Sequence, residues 1–128
     1  MREILIIDDV ESEGQVAVRA AKIVDGSAQI TLVSSILEVY HLIRQKAPNL
    51  LIVDFMMPQM DGISLLRRIR KQGIDSPAIL TSSKGVELKD VGRLVPQNNV
   101  IRTLCKPYDL DDMVLAISDA LLVDSFVF

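Results

Sequence analysis

Leu50-Leu51-Ile52-Val53-Asp54 is a short apolar run that ends in an acid. Similar runs recur along the chain at 4–7, 30–33, 78–80 and 100–101, the last followed by Leu104. They consist mainly of Ile, Leu and Val and do not alternate with polar residues. Unbroken runs of this length are typical of strands buried on both faces of a parallel sheet. The sequence therefore predicts five parallel strands.

Segments of helical length lie between these runs, and each carries one apolar stripe. The stripes are Ala17-Ala20-Ala21-Val24, Ile36-Val39-Tyr40-Ile43, Ile63-Leu66-Ile69, Leu88-Val91-Gly92-Val95 and Met113-Ala116-Ile117-Ala120. Spacing of three and four residues is that of one face of an amphipathic helix. Asp61 and Asp109 stand at positions where they can cap the third and fifth helices. Five strands alternating with five helices predict an α/β fold, a doubly wound five-stranded parallel sheet flanked by five helices.

Composition excludes several classes of function. The chain has 128 residues and a net charge of -3, without the basic excess of a nucleic-acid-binding protein. Cys105 is the only cysteine and His41 the only histidine, so a Cys/His zinc site is excluded. No apolar run approaches the ~20 residues that span a membrane. We expect one cytoplasmic domain over residues 1–128, with no output domain in this chain and no contact with nucleic acid or membrane. His41 is predicted to be solvated, and Cys105 to be a small buried thiol.

Polar residues follow the predicted strands where parallel strands end together. They are Asp8-Asp9 after the first strand, Asp54 after the third, Thr81-Ser82 on the fourth and Lys106-Pro107 after the fifth. Clustered carboxylates repel one another unless a cation neutralises them. Carboxylate oxygens with open positions beside them suit Mg²⁺ and a phosphate oxygen. The sequence therefore predicts a magnesium site that receives a phosphoryl group, with one aspartate as its nucleophile.

These residues resemble the receiver domain of bacterial response regulators. Asp54-Phe55-Met56-Met57-Pro58-Gln59-Met60-Asp61-Gly62 is similar to the family motif that carries the phosphoacceptor. Ile4–Asp9, Ile79–Ser82 and Lys106-Pro107 resemble its first strand with the acidic pair, its fourth strand with the switch hydroxyl, and its Lys-Pro. The resemblance covers nearly the whole chain and implies the flavodoxin-like receiver fold.

The resemblance also implies a role for each site residue. Asp54 is expected to accept a phosphoryl group from a phosphohistidine on a sensor kinase or a phosphotransfer protein. Thr81, with Ser82 as the fallback, is expected to bind a phosphoryl oxygen, and Lys106 to ion-pair with the phosphoryl group. Phosphorylation and dephosphorylation would occur on Asp54 itself, so we do not expect an enzyme in the ordinary sense.

The metal ligands implied by the resemblance are four residues around Mg²⁺. Asp9 is expected to ligate the ion directly and Asp8 through water. Asp54 and the backbone carbonyl of Met56 would complete the protein ligands. The output would pass to a downstream protein target or a homodimer through the surface formed by the fourth helix, fifth strand and fifth helix.

One position departs from the family pattern. Thr103 stands where the family usually has Tyr or Phe on the fifth strand. This departure leaves open the alternative that the domain is a pseudo-receiver, which binds partners without being phosphorylated. The acceptor and the acidic pair, which such modules usually lose, are both present. A phosphatase that works through an aspartyl-phosphate is the other alternative. Its D-x-D motif is absent, since Asp54 is followed by Phe55-Met56.

Overall fold

The computed structural model describes residues 1–83 and 99–125, with side chains through residue 122. The elements in chain order are β1 (Glu3–Ile7), α1 (Glu11–Val24), β2 (Gln29–Val33), α2 (Ile36–Gln45), β3 (Leu50–Asp54), α3 (Gly62–Lys71), β4 (Ala78–Ser82), β5 (Val100–Cys105) and α4 (Leu110–Ser125). The described ranges thus contain all five predicted strands and four helices. The predicted fourth helix, 88–95, lies outside the described residues, so the count of five helices stays a prediction. Here α4 is the helix that the sequence places fifth.

All strand pairs in the sheet are parallel, and their order is β2-β1-β3-β4-β5. This order places β1 and β3 side by side in the centre, so the residues that follow them are neighbours. Asp54 and Thr81 are register partners on β3 and β4, and Ser82 and Cys105 are partners on β4 and β5. The strand ends that carry polar residues therefore meet at one edge of the sheet, as the sequence predicts.

The core has two halves, one on each face of the sheet. Alternate residues of a strand point to opposite faces, so Leu5 and Ile7 pack with α2 and α3, whereas Ile4 and Ile6 pack with α1 and α4. Every residue of β3 and β4 is buried. The predicted burial on both faces is confirmed for the central strands. It is wrong for the edge strands, because in β2 only Val33 and in β5 only Val100 is fully buried.

The helices begin and end where local chemistry favours it. Asp61 accepts a hydrogen bond from the backbone N–H of Ser64 at 2.8 Å and caps α3. Asp109 does the same for the N–H of Asp112 at the start of α4, also at 2.8 Å. Gly73 follows α3 with a φ of 84°, a conformation that glycine adopts without steric cost. Within the described ranges, every helix falls short of the length and apolar content needed to cross a membrane.

Candidate functional site

Asp8, which follows β1, and Asp54, the last residue of β3, are held in place by backbone hydrogen bonds. The N–H of Asp8 donates to the carbonyl of Val33 on β2 at 3.1 Å, and Asp8 Oδ1 accepts from the N–H of Val10 at 2.9 Å. Asp54 Oδ1 accepts from the N–H of Met56 at 3.2 Å. Asp8 and Asp54 are only 4% and 3% exposed, so both carboxylates lie largely out of solvent. Asp9 is exposed.

Lys106 reaches these acids from β5. Its backbone N–H donates to the carbonyl of Ser82 at 2.8 Å, and its peptide bond to Pro107 is cis. Its Nζ lies 3.0 Å from Asp8 Oδ2, 3.3 Å from Asp54 Oδ2 and 2.6 Å from Glu13 Oε2. The lysine side chain is 9% exposed. One buried ammonium therefore joins acids from three segments of the chain.

The start of α3 packs tightly against the acceptor. The N–H of Gly62 donates to the carbonyl of Phe55 at 2.8 Å. A Cβ on Gly62 would lie 2.6 Å from the carbonyl oxygen of Asp54 and 2.9 Å from the Cα of Phe55. Because both neighbours are backbone atoms, a side chain at this position could not be accommodated by a rotamer change. Glycine here lets the loop after Asp54 fold back onto the end of β3.

Three carboxylates at this edge are close enough to share a cation. Asp8, Asp9 and Asp54 each offer an oxygen, and these oxygens lie within 4.8 Å of one another. Hard oxygen donors in a group with open sides are the ligands that Mg²⁺ prefers. The residues thus fit the predicted ion, and the exposed Asp9 leaves one side of the group accessible.

Burial and neighbouring charge change the protonation of the acceptor. Desolvation is the largest effect and, with the charge of Asp8, raises the pKa of Asp54 to about 6 from an ordinary 3.8. The Met56 N–H and the Lys106 ammonium oppose this rise. For Lys106, burial lowers the pKa, but hydrogen bonds to Glu13 and Asp8 and the charges of Asp8 and Asp54 outweigh it. The pKa of Lys106 is therefore raised, and the lysine is a cation throughout the physiological range.

The structure places the predicted site residues at one edge. Asp8, Asp9, Asp54 and Lys106 form a single cluster, and Thr81 is buried beside Asp54 on the neighbouring strand. Met56 lies next to the acceptor, with its N–H on Asp54 and an exposed side chain.

Two nearby residues were not predicted, and one prediction was wrong. Glu13 contacts Lys106, although it is far from it in the sequence, and Gly62 is required by the close approach described above. His41 is exposed, as predicted. Cys105 is exposed rather than buried, because it ends an edge strand that has a neighbour on one side only.

Comparison with known proteins identifies the family of the chain. Residues 4–118 match the family model for the response regulator receiver domain. The chain is 31% identical over 122 residues to the transcriptional regulatory protein BaeR of Escherichia coli O6:H1, covering 92% of this chain and 47% of BaeR. The chain spans about half or less of the length of this curated relative and of others like it.

Solved structures show the same fold. A response regulator receiver domain protein from Clostridium thermocellum superposes with a TM-score of 0.79 at 23% identity and 100% coverage of both chains. A CheY-like receiver domain protein from Methanospirillum hungatei gives a TM-score of 0.80 at 18% identity, covering 98% of this chain and 97% of that one. With the clustered acids, the lysine and the match over most of its length, the chain belongs to the response regulator receiver domain family.

Proposed function

We propose that this domain is a phosphoacceptor switch and that Asp54 receives its phosphoryl group from a phosphohistidine on a sensor kinase or phosphotransfer protein. The observation that carries the proposal is the position of the Asp54 carboxylate. It is in contact with Lys106 Nζ at 3.3 Å and within 4.8 Å of oxygens of Asp8 and Asp9. A nucleophilic carboxylate beside a fixed cation and two further acids is the arrangement that phosphoryl transfer to an aspartate needs.

In the transfer, an oxygen of Asp54 forms a bond to phosphorus while the P–N bond of the phosphohistidine breaks. The leaving imidazole nitrogen keeps the electron pair and takes up a proton from solvent. The product is an acyl phosphate on Asp54, and its hydrolysis by water restores the carboxylate and releases inorganic phosphate. The chain would thus be modified and restored without turning over a separate substrate, which is why we do not propose an enzyme.

Mg²⁺ would be held by the carboxylates of Asp9 and Asp54 and the backbone carbonyl of Met56, with Asp8 acting through water. When bound, the ion would offset the negative charge that the phosphoryl group brings among these acids. Asp8 also holds Lys106 at 3.0 Å, so one acid serves both the ion and the lysine.

Thr81 and Lys106 would receive the phosphoryl oxygens. Phosphoryl transfer spreads negative charge over three oxygens, which need donors already in position. Thr81 is 2% exposed and is the register partner of Asp54, so it lies beside the acceptor at this end of the sheet. Lys106 is already in contact with the acceptor.

The output would pass through β5, α4 and the segment at 88–95 to a protein target or a second copy of the chain. Thr103 is half-buried on β5, the strand that leads to the site lysine. The conformational coupling would therefore act without the aromatic ring that is usual there.

The test is intact-mass measurement after incubation with acetyl phosphate and Mg²⁺. The proposal expects a gain of ~80 Da in the parent protein, since a phosphoryl group replaces one proton. The gain should be lost in Asp54→Asn and kept in Asp61→Asn, which makes the same change in the same loop. A parent protein that gains no mass would instead indicate a pseudo-receiver. Steady turnover of a small phosphomonoester would indicate a phosphatase.

A further inference from the structure

The shortest contact of the site lysine is with an acid outside the predicted site. Glu13 lies in the first turn of α1, and its Oε2 is 2.6 Å from Lys106 Nζ, closer than either Asp8 or Asp54. The hydroxyl of Tyr108 donates to the backbone carbonyl of Glu13 at 3.4 Å. The segment after Lys106 is therefore hydrogen-bonded to the same turn of α1, and this bond helps to hold Glu13 close to the lysine.

The site lysine donates hydrogen bonds to Asp8 and Glu13 and forms an ion pair with Asp54. An ammonium group has three N–H donors and no acceptor. Asp8, Glu13 and Asp54 each lie within 3.3 Å of Nζ. A phosphoryl oxygen that comes to Lys106 must therefore compete with these carboxylates for the ammonium.

Glu13 is the carboxylate that can leave. Its side chain is 44% exposed, whereas the side chains of Asp8 and Asp54 are 5% and 4% exposed. A glutamate at the surface can turn into water and keep its hydration, but a buried aspartate has no such alternative. Asp54 is also the residue that would carry the phosphoryl group.

We propose that Glu13 is a positioning residue that holds Lys106 in the resting state and competes with the phosphoryl group for it. The inference rests on the proposed function, because it assigns a control of the same site. Glu13 keeps the ammonium in place before transfer and opposes the phosphorylated state afterwards, both by hydrogen bonding and by like charge. Its removal should stabilise the state in which Lys106 binds a phosphoryl group.

The expected size of the effect follows from the geometry. Since both carboxylates contact the same nitrogen, Glu13 and Asp54 oxygens lie within about 6 Å of each other. Because Glu13 is partly exposed, the effective dielectric lies between that of a protein surface and that of water. Loss of the Glu13 charge should then change the binding constant of a phosphoryl mimic by about three- to tenfold.

The experiment measures binding of beryllium trifluoride, a phosphoryl mimic, to the full chain in the presence of Mg²⁺ by calorimetry and fluorine NMR. Glu13→Gln should bind the mimic about three- to tenfold more tightly than the parent protein, and the gain should shrink in high salt. Glu13→Asp keeps the charge, and its affinity for the mimic should be close to that of the parent protein. Glu11→Gln removes the same charge from an exposed residue in the same turn, and its affinity for the mimic should also be close to that of the parent protein. Glu13→Ala replaces the Gln variant if that variant does not fold.

The outcomes separate this inference from the proposed function. If Glu13→Gln binds no more tightly than the parent, or if Glu11→Gln gains as much, the competition at Lys106 is refuted while the switch stands. If the parent binds no mimic and gains no phosphoryl mass, the proposed function fails and the inference fails with it. Tighter binding confined to Glu13→Gln or Glu13→Ala, with Glu13→Asp unchanged, supports the inference.

Discussion

Replacing Asp54 with Asn tests how much the buried charge of the acceptor destabilises the metal-free fold. The carboxyl has a pKa of about 6 in the folded protein against an ordinary 3.8, chiefly because it is desolvated. The folded state therefore holds this proton more tightly than the unfolded chain does. The stability that the proton contributes is fully present below pH 3.8 and is lost as the pH rises through about 6. The difference corresponds to about 3 kcal/mol of unfolding free energy at neutral pH.

The amide of Asn carries no charge and keeps an oxygen that can accept from the Met56 N–H, as Asp54 does at 3.2 Å. Lys106 retains Asp8 and Glu13 in the variant. We therefore expect Asp54→Asn to be more stable than the parent at about pH 7.5, by up to about 3 kcal/mol. The advantage should decline as the pH falls through about 6 and approach zero below 3.8, where the parent carboxyl is mostly protonated in both states.

The assay is urea unfolding of both proteins at a series of pH values, in buffer with a chelator of divalent cations. Asp61→Asn is the control, because it makes the same change at an exposed residue and Asn can still cap α3. Its stability should stay within about 0.5 kcal/mol of the parent. The reasoning is refuted if Asp54→Asn is less stable than the parent at about pH 7.5, or if its advantage does not change between about pH 4 and pH 7.5.

Three further substitutions can be followed by the same urea unfolding. Gly62→Ala should lower the free energy of unfolding by about 1–3 kcal/mol, because its Cβ would meet the Asp54 backbone. Gly26→Ala is the control and should be tolerated, because its Cβ would make only an ordinary van der Waals contact. Equal effects at the two glycines would contradict this. Tyr40→Phe should stabilise by about 1 kcal/mol, since the Tyr40 hydroxyl is buried and makes no hydrogen bond within the described residues. A loss of stability would show that the hydroxyl has a partner in solution. Asp61→Ala removes the cap of α3 and should lower the free energy of unfolding by about 1 kcal/mol. An unchanged urea midpoint would mean that the cap does not stabilise the fold.

The centre of the fold could be predicted from the sequence because its signal is local. Leu50–Val53 contains four consecutive large apolar residues, and a strand covered on both faces buries all of them, as β3 does. The acid that follows it is carried to the sheet edge by the strand. Topology then brings Asp54 beside Asp8, since β1 and β3 are adjacent in the sheet.

The edges of the sheet could not be predicted in the same way. Ile30–Val33 has the same apolar character as a central run, but β2 pairs only with β1 and stays half exposed. Cys105 looks like a buried strand residue for the same reason and is exposed. Whether a run is central or at an edge is set by strand order, which the residues of a single run do not contain.

Glu13 was missed because its role depends on a contact across the fold. In the sequence it is one of two acids, with Glu11, in the first turn of a helix, where acids are common because they interact favourably with the helix dipole. Only the contacts between the first turn of α1 and the residues that follow β5 show that Glu13 reaches Lys106 and that Glu11 is a suitable control. No local signal separates the two glutamates.

The charge balance of the cluster argues that a divalent cation is required for phosphorylation. The carboxylates of Asp8, Glu13 and Asp54 contact the ammonium of Lys106, and Asp9 offers an oxygen within 4.8 Å of those of Asp8 and Asp54. Asp8 follows β1 and Asp54 ends β3, and both strands are held in the core, so these acids cannot move apart without disturbing it. A phosphoryl group on Asp54 replaces a single carboxylate charge with a phosphate charge of about -2, so the cluster gains about one more negative charge. Lys106 alone cannot balance this charge, because it already contacts three carboxylates. The parent protein should therefore gain no phosphoryl mass from acetyl phosphate in a chelating buffer and gain it when Mg²⁺ is restored. Mass gained in the chelator would mean that Lys106 is sufficient and that the acids have another role.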